Sequence, residues 1–483
     1  MKLSSNASET LLVPILTGLS IGFLTISNFY IGNILTSHLD IKSSIIPYLF
    51  SFFIISMLIM GCILAINING AIQKKEILFI VLLIFGFQYT GIIPGKINTS
   101  DVFFVIIIPI WLATLFTTIR YKVTWSLLNF LNLAMLACCV LSLINGRTTS
   151  MIKMLPLSKA ILFSFLIIEM VRETKWIAFY LKTLVVITTI SAIIGIFQEI
   201  LFINSGIILA FYESSTMNLI LEPTSLGTFL RVPAFTSMHL YLANYLVISL
   251  LIGFNAFLHF NTYLSRKEKV ALSIALVLMG VALILTFSKT SILGLFVGIM
   301  ISIFLKWPSR AIHFFMLLAL LMVIAYVSGF WQAFYEDIIS QMELMGDIGN
   351  RLKLMKGGIE GFLNKYPFIG AGLGQGKKYT QNAIGWPVHN AFVLAADEAG
   401  IVGLLIFCSI FLYGFYRLIS TLPIIKEPKK NAILKILLAG LVALLVNIQF
   451  QPDFLSYYNW IYIGFVETTV IVFRKENLLE RTS

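Results

Sequence analysis

The stretch Val270–Leu285 reads VALSIALVLMGVALIL and, after TFSK at 286–289, the stretch Thr290–Leu305 reads TSILGLFVGIMISIFL. Neither run contains a charged side chain. A helix needs about 20 apolar residues to cross a ~30 Å hydrocarbon core. Extended through their flanks, to roughly 268–286 and 289–305, the two runs read as consecutive membrane spans joined by a short turn that carries one lysine.

Working outward in both directions, the same pattern recurs. Apolar runs fall at roughly 11–33, 46–68, 77–94, 101–119, 125–144, 156–172, 176–203, 238–259, 311–328, 390–416, 432–450 and 457–473. The fold class predicted is an all-α integral membrane protein with about fourteen transmembrane helices, in a range of about twelve to fourteen. Composition agrees: 59% of the residues are hydrophobic and 12% charged, against roughly 25% charged in an average soluble domain. A water-soluble fold is excluded. Cys62, Cys138, Cys139 and Cys408 all sit inside apolar runs, where a thiol behaves as a small hydrophobe, so neither a disulfide framework nor a metal cluster is expected. The first run lacks a small-residue cleavage site and is too long for a removable signal peptide. It is read as the first helix.

The net charge of +12 does not point to nucleic acid, because the basic residues form short clusters between apolar runs and act as topology signals. With the N-terminus in the cytoplasm, Lys74, Lys75, Arg120, Lys122, Arg172, Lys175, Arg266, Lys267, Lys269, Lys306 and Arg310 fall inside. Arg417, Lys426, Lys429, Lys430, Arg474 and Lys475 join them. Outside its longest loop, the opposite face carries only Lys42, Lys96, Arg147, Lys153, Lys159, Arg231 and Lys289. Two long loops, about 204–237 and 329–389, are then outside, and both termini are cytoplasmic. The organisation expected is 1–203 as N-terminal transmembrane helices, 204–473 as the functional region and 474–483 as a cytoplasmic tail.

In the longer loop, Ile348, Leu352, Met355, Ile359 and Phe362 recur at spacings of three and four, and Lys356 and Glu360 pair at i,i+4. That pattern predicts an amphipathic helix on the membrane surface, ending before Pro367. The glycines that follow, Gly370, Gly372, Gly374 and Gly376 in PFIGAGLGQG, lack the preceding strand and βαβ unit of a dinucleotide loop. Tight backbone turns at a substrate mouth are the better reading.

Chemistry-bearing residues gather on the outer side: Arg231 in FLRVPAF, Lys289 in TFSKTSILG, Arg351 in GNRLKLMKGG and His389 just before a span. Guanidinium forks hold a diphosphate by paired charge-assisted bonds, and a lysine adds a point charge. The same cations stabilise charge that develops on a diphosphate leaving group. An imidazole that titrates near neutrality can take a proton from a sugar hydroxyl. Each residue also has a plainer reading. Arg231 can bind lipid phosphate, Arg351 can solvate an amphipathic helix, and Lys289 can snorkel. His389 can serve as a buried hydrogen-bonding group, and Glu398 can bond to the loop or a neighbouring helix. His239, close to Arg231 in sequence, is the second histidine candidate. A Ser-His-Asp hydrolase built on Asp397 has no nucleophile-elbow sequence.

The segment RLKLMKGGIEGFLNKYPFIGAGLGQG from Arg351, followed by WPVHNAFVLAADEAGIVGLLIF, resembles the O-antigen ligase and O-antigen polymerase superfamily. That family's pattern is an arginine opening an amphipathic helix, a Pro then Gly-x-Gly segment, and a His-Asn pair leading into a helix with Glu, Gly and Gly. Here these are Arg351, Pro367, Gly370, Gly372, His389, Asn390, Glu398, Gly400 and Gly403. The FLRVPAFTSMHLYLANYL segment is similar to the family's arginine segment, with Met238 and His239 in place of its Pro-Asn pair. LTFSKTSILGLFVG resembles the family's Ser-Arg helix start, with Lys289 in place of arginine. The resemblance spans about 225–473.

It implies a metal-independent glycosyltransferase of the GT-C type, without a cofactor, whose donor is an undecaprenyl-diphosphate-linked glycan. Arg231 and Arg351 would hold the diphosphate and His389 would activate or orient the acceptor hydroxyl. Lys289, Asn390, His239 and Glu398 complete the expected substrate-binding set. The acceptor is a lipid-linked repeat unit in a polymerase or the lipid A core in a ligase, and a chain-length regulator is a candidate partner. About fourteen spans, against the ligases' typical twelve, favours the polymerase. A flippase is the rival class, yet the charges collect at the outer rim rather than at the midplane. The expected location is the bacterial inner membrane with the site facing the periplasm.

Overall fold

The computed structural model describes residues 124–146, 148–208, 221–224, 227–236, 238–328, 347–376, 388–452, 454 and 456–482. The spans expected at 11–33, 46–68, 77–94 and 101–119 lie outside these residues. In the described part the chain is mostly helical: α1 (Leu127–Ser142), α2 (Thr148–Met170), α3 (Thr174–Ser205), α4 (His239–Phe260), α5 (Arg266–Leu285), α6 (Lys289–Lys306), α7 (Pro308–Val327), α8 (Asp347–Lys365), α9 (Ala391–Thr421), α10 (Pro428–Ile448) and α11 (Tyr457–Thr482). Six of them, α3, α4, α5, α6, α9 and α10, are long and apolar enough to cross a membrane. The chain is a membrane protein.

The helix starts follow local chemistry. Ser126 caps α1 by accepting from Asn129 N, and Ser265 with Glu268 forms a full capping box at α5, each satisfying N–H groups that a helix leaves unpaired. Gly206, at φ 69°, closes α3 in the left-handed conformation. One element departs from the expected all-helical fold. Leu221–Thr224 (β1) and Gly227–Leu230 (β2) pair antiparallel, Leu221 opposite Leu230 and Glu222 opposite Phe229. Four-residue strands with no period-2 pattern give a sequence little from which to announce a strand.

The chain divides into two compact units. Among described residues, the first comprises Glu173–Gly253 and Asn261–Lys289. In it α3 packs on α5 and on β2, and Ser249 of α4 donates to Thr188 of α3 at 2.8 Å in a buried contact. The second comprises Thr124–Arg172, Phe254–Phe260 and Thr290–Ser483. In it α2 lies along α11, and α9 is packed by α1, α8, α10 and α11. Lipid is as apolar as a protein core, so helices in a membrane associate through close packing at small residues and through buried hydrogen bonds. Both devices are present. A Cβ at Gly464 of α11 would come within 2.6 Å of Ser164 Oγ on α2, and one at Gly294 of α6 within 3.0 Å of the Ala443 carbonyl on α10. Phe407, Phe454 and Trp460 are fully buried, with Phe407 edge-on to Phe454 at 5.2 Å. Arg417 Nε donates to Glu467 Oε2 at 2.8 Å and Tyr413 donates to the other oxygen at 3.1 Å.

Candidate active site

In the second unit the site is organised by a break in α9. Gly400 has φ 74° and ψ −175° inside the helix, which interrupts the i to i−4 bonds around it. The glycine-rich segment laid across the break replaces them: Ala371 N donates to Asp397 O at 2.8 Å, Gly372 N to Glu398 O at 3.1 Å, and Ile401 N to Pro367 O at 2.8 Å. Buried carbonyls and N–H groups need such partners. The approach is so close that a Cβ at Gly370, itself at φ 76°, would lie 2.5 Å from Ala399 N, and one at Gly400 would strike the Phe368 carbonyl. No L side chain adopts these backbone angles cheaply. From the turn that follows α1, Asn145 Nδ2 donates to Gly370 O at 3.0 Å, tying a further segment to the loop.

Two carboxylates, Asp397 and Glu398, are buried at this break. Glu398, 3% exposed, accepts from the backbone N–H groups of Gly374 and Gly376. Its Oε2 and both carboxylate oxygens of the fully buried Asp397 have no hydrogen-bond partner among the described residues. Asp397 faces α8, where a Cβ at Gly358 would lie 2.8 Å from its Oδ2. Lys153 of α2 runs its stem across Gly374, Cγ lying 3.1 Å from the position of a Cβ there, and its charge acts on Glu398. Nothing in the sequence marked Lys153 beyond its place on one face of the membrane.

Asn390 is the N-cap of α9: its Oδ1 accepts from Phe392 N at 2.9 Å and Val393 N at 3.0 Å. Its Nδ2 donates to the carbonyl and side-chain oxygens of Gln449 at 3.1 and 3.0 Å. His389, half-buried, immediately precedes that cap, so its backbone is fixed by the cap and by the end of α10. Arg351 lies in α8, one of whose turns carries Leu354 and Gly358, both buried. The Met355 and Ile359 positions, part of the amphipathic stripe, remain 38% and 39% exposed.

In the first unit the structure brings together Arg231, His239 and the turn that ends in Lys289. Arg231 Nε donates to Glu222 Oε2 on β1 at 2.9 Å, and its Nη2 bonds the same oxygen. The guanidinium is 30% exposed and the carboxylate 21%, so the pair is not sealed from a ligand. Arg231 acts electrostatically on His239 at the start of α4. The RVPAF backbone is irregular, with Ala234 at φ 47°, and α3 holds it. Gln198 Nε2 donates to Ala234 O at 3.2 Å while Ala234 N donates to Gln198 Oε1 at 2.9 Å. Glu199 Oε2 accepts from Leu230 N at 3.0 Å. The turn before α6 joins the same cluster: Val232 N donates to Leu285 O at 3.2 Å, and the rings of Phe229 and Phe287 lie 5.9 Å apart. Lys289 itself is exposed. Glu222, Gln198 and Glu199 are the residues that sequence reasoning missed.

With this geometry in view, the comparison with known families is direct. Residues 274–408 match the O-antigen ligase family. That match puts the segment in the O-antigen ligase and polymerase superfamily, in keeping with the resemblance drawn from the motifs. No curated protein matches the chain at a level that shows kinship. The O-antigen ligase domain takes in Lys289, Arg351, Gly370, Gly372, His389, Asn390, Glu398 and Gly400. It leaves out the Arg231 segment with its α3 clamp, and Lys153.

Proposed function

We propose that this protein is a metal-independent glycosyltransferase of the bacterial inner membrane that joins undecaprenyl-diphosphate-linked glycan units on the periplasmic face, as an O-antigen or surface-polysaccharide polymerase. The observation that carries the reading is the O-antigen ligase match over 274–408, which contains the arginine helix, the glycine loop and the His-Asn helix start. The functional region is 204–473, preceded by further membrane helices in 1–203 and followed by a cytoplasmic tail at 474–483. Both termini are cytoplasmic, as the basic clusters favour.

The acceptor hydroxyl attacks the anomeric carbon of the donor sugar. As the new C–O bond forms, the bond from that carbon to the diphosphate oxygen breaks, and the diphosphate leaves with the electron pair. Arg231 and Arg351 hold the diphosphate, and Lys289 adds a point charge as negative charge grows on the leaving oxygen. His389 takes the acceptor proton or orients the hydroxyl. Asn390 positions His389 through the cap, Glu398 holds the loop that shapes the glycan mouth, and His239 lines the Arg231 side. Arg231 is paired with Glu222, so a diphosphate binds there by replacing one acceptor of the guanidinium fork with another of higher charge.

The second reading, a ligase that transfers the finished glycan to the lipid A core, is favoured by the description of the matching family. Deleting the gene in its host and separating lipopolysaccharide and surface glycan on a gel decides between them. A core bearing one repeat unit means polymerase, and bare core with long chains held on undecaprenyl diphosphate means ligase. Repeat units trapped in the cytoplasm would instead mean a flippase, and an unchanged profile would remove both transferase readings. A chain-length regulator, if one acts with this enzyme, would alter the modal length on its own deletion without abolishing polymer.

A further inference from the structure

Within the second unit, the last turns of α4 and α6 and the first half of α10 converge. Asn255 Nδ2 of α4 donates to Ser302 Oγ of α6 at 2.8 Å in a buried contact. One helical turn further along each helix stand His259 and Lys306. α6 also packs on α10, with Gly294 against Ala443 and Asn447; moving along α6 towards Lys306 runs back along α10 towards Lys435. The three side chains act on one another electrostatically: His259 feels Lys306 and Lys435, and Lys435 feels Lys306. Among the described residues none of the three forms an ion pair, and the buried His259 Nε2 has no hydrogen-bond partner.

Two half-buried lysines with no carboxylate beside them among the described residues repel one another, so the cluster calls for an anion. Its level in the membrane says which kind. Trp307 follows Lys306 directly, with the ammonium 5.1 Å from its ring and Arg310 at 5.6 Å, and tryptophan with basic neighbours marks the headgroup region. Basic pockets between helix ends at that level hold phosphate headgroups. The cluster is not the candidate active site: along α10, Lys435 is separated from the C-cap Gln449, the residue bonded by Asn390, by about 20 Å at 1.5 Å per residue.

We propose that His259, Lys306 and Lys435 form a binding site for the phosphate of an anionic phospholipid, at the membrane face opposite the His389–Asn390 helix start. The two ammonium groups neutralise the phosphate, and the imidazole adds a hydrogen bond from Nε2. The proposal rests on the membrane reading and is independent of which glycan the enzyme transfers.

The test uses the full chain purified in detergent and given equal amounts of phosphatidylglycerol and phosphatidylethanolamine, with retained lipid counted by native mass spectrometry. Phosphatidylglycerol is expected to be retained preferentially, and Lys435→Gln and Lys306→Gln each to lower its retention about fivefold. Lys435→Arg keeps the charge and should bind like the parent, which separates loss of the site from loss of fold. Lys426→Gln, at an exposed lysine in the loop before α10, should change nothing. Equal retention of the two lipids, or a Lys435→Gln protein that behaves like Lys426→Gln, would overturn the proposal. So would displacement of phosphatidylglycerol by inorganic phosphate at equal concentration, which would assign the site to a soluble anion.

Discussion

Two irregular stretches of backbone carry the candidate residues, Arg231–Thr236 in one unit and Pro367–Gly376 in the other, and they are held by opposite means. The first is gripped by long polar side chains reaching from α3: Gln198 takes both the N–H and the carbonyl of Ala234, and Glu199 takes Leu230 N. The second is docked through backbone across the break in α9 at Gly400, Ala371 N and Gly372 N bonding carbonyls of α9 and Ile401 N bonding Pro367 O, with Asn145 and Glu398 adding side-chain bonds. So close a backbone approach leaves no room for a Cβ at Gly370 or Gly400, and it writes itself into the sequence as glycines. Side-chain clamping imposes no such spacing, and a glutamine on an apolar helix looks the same whether or not it holds a loop.

The largest effects should come from the chemistry each stretch presents. Arg231→Ala, Arg351→Ala and His389→Ala are each expected to reduce glycan transfer on the order of 10²–10³-fold, measured with purified enzyme and a lipid-linked donor, with each variant still in the membrane. If only the Arg351 and His389 variants lose activity, the Arg231 stretch is structural and the comparison becomes one between a site and a support. Near-normal rates in all three would remove the proposed site altogether.

Next come the glycines of the backbone-held stretch. Gly400→Val and Gly370→Val place a side chain at positive φ against backbone that cannot retreat, and each should cost about 3 kcal/mol or more. The readout is thermal unfolding of the detergent-purified protein. A Gly400→Val protein that melts with the parent would mean that α9 closes into a regular helix without the loop.

How much of this was legible follows from the same contrast. The membrane-spanning helices of the described region were readable because burial in lipid demands unbroken apolar runs of fixed length. The helix at Asp347–Lys365 was readable from its period and from Pro367, although its buried contact runs through Leu354 and Gly358 and leaves Met355 and Ile359 of the stripe exposed. The glycine loop and the His-Asn helix start were legible as a motif, but not the reason for the motif, which is a helix break that only the fold reveals. The hairpin at Leu221–Leu230, the Glu222 partner of Arg231, the Gln198–Glu199 clamp and Lys153 left no sequence signal. Each depends on which distant element folds back onto the segment, and no local pattern encodes that.

The clamp offers a middle-sized test. Gln198→Ala leaves the buried N–H and carbonyl of Ala234 without their partners, at a cost of about 1–3 kcal/mol. Gln198→Glu keeps the acceptor for Ala234 N but loses the donor to Ala234 O. If the clamp positions Arg231, both variants should lose transfer activity beyond their loss of folded protein, with the rate per folded molecule separating the two effects. A rate per folded molecule equal to the parent's would reduce the clamp to a stabilising contact.

The smallest effect is expected at Lys289, where the sequence departs from the resembled family in carrying lysine for arginine. Lys289 is exposed at the first turn of α6, so it bears no packing role and any effect must come from its charge on a ligand. Lys289→Ala should lower transfer about fivefold to tenfold, the worth of one charge-assisted hydrogen bond at a partly solvated site. Lys289→Arg should retain or exceed the parent rate, because a guanidinium keeps the charge and adds a fork suited to phosphate. Equal losses in both variants would show that the site needs a compact ammonium, which points to a single phosphate oxygen rather than a bidentate contact. No loss in either would take Lys289 out of the binding set and leave the turn before α6 as a brace for the Arg231 stretch, held by Leu285 and Phe287 alone.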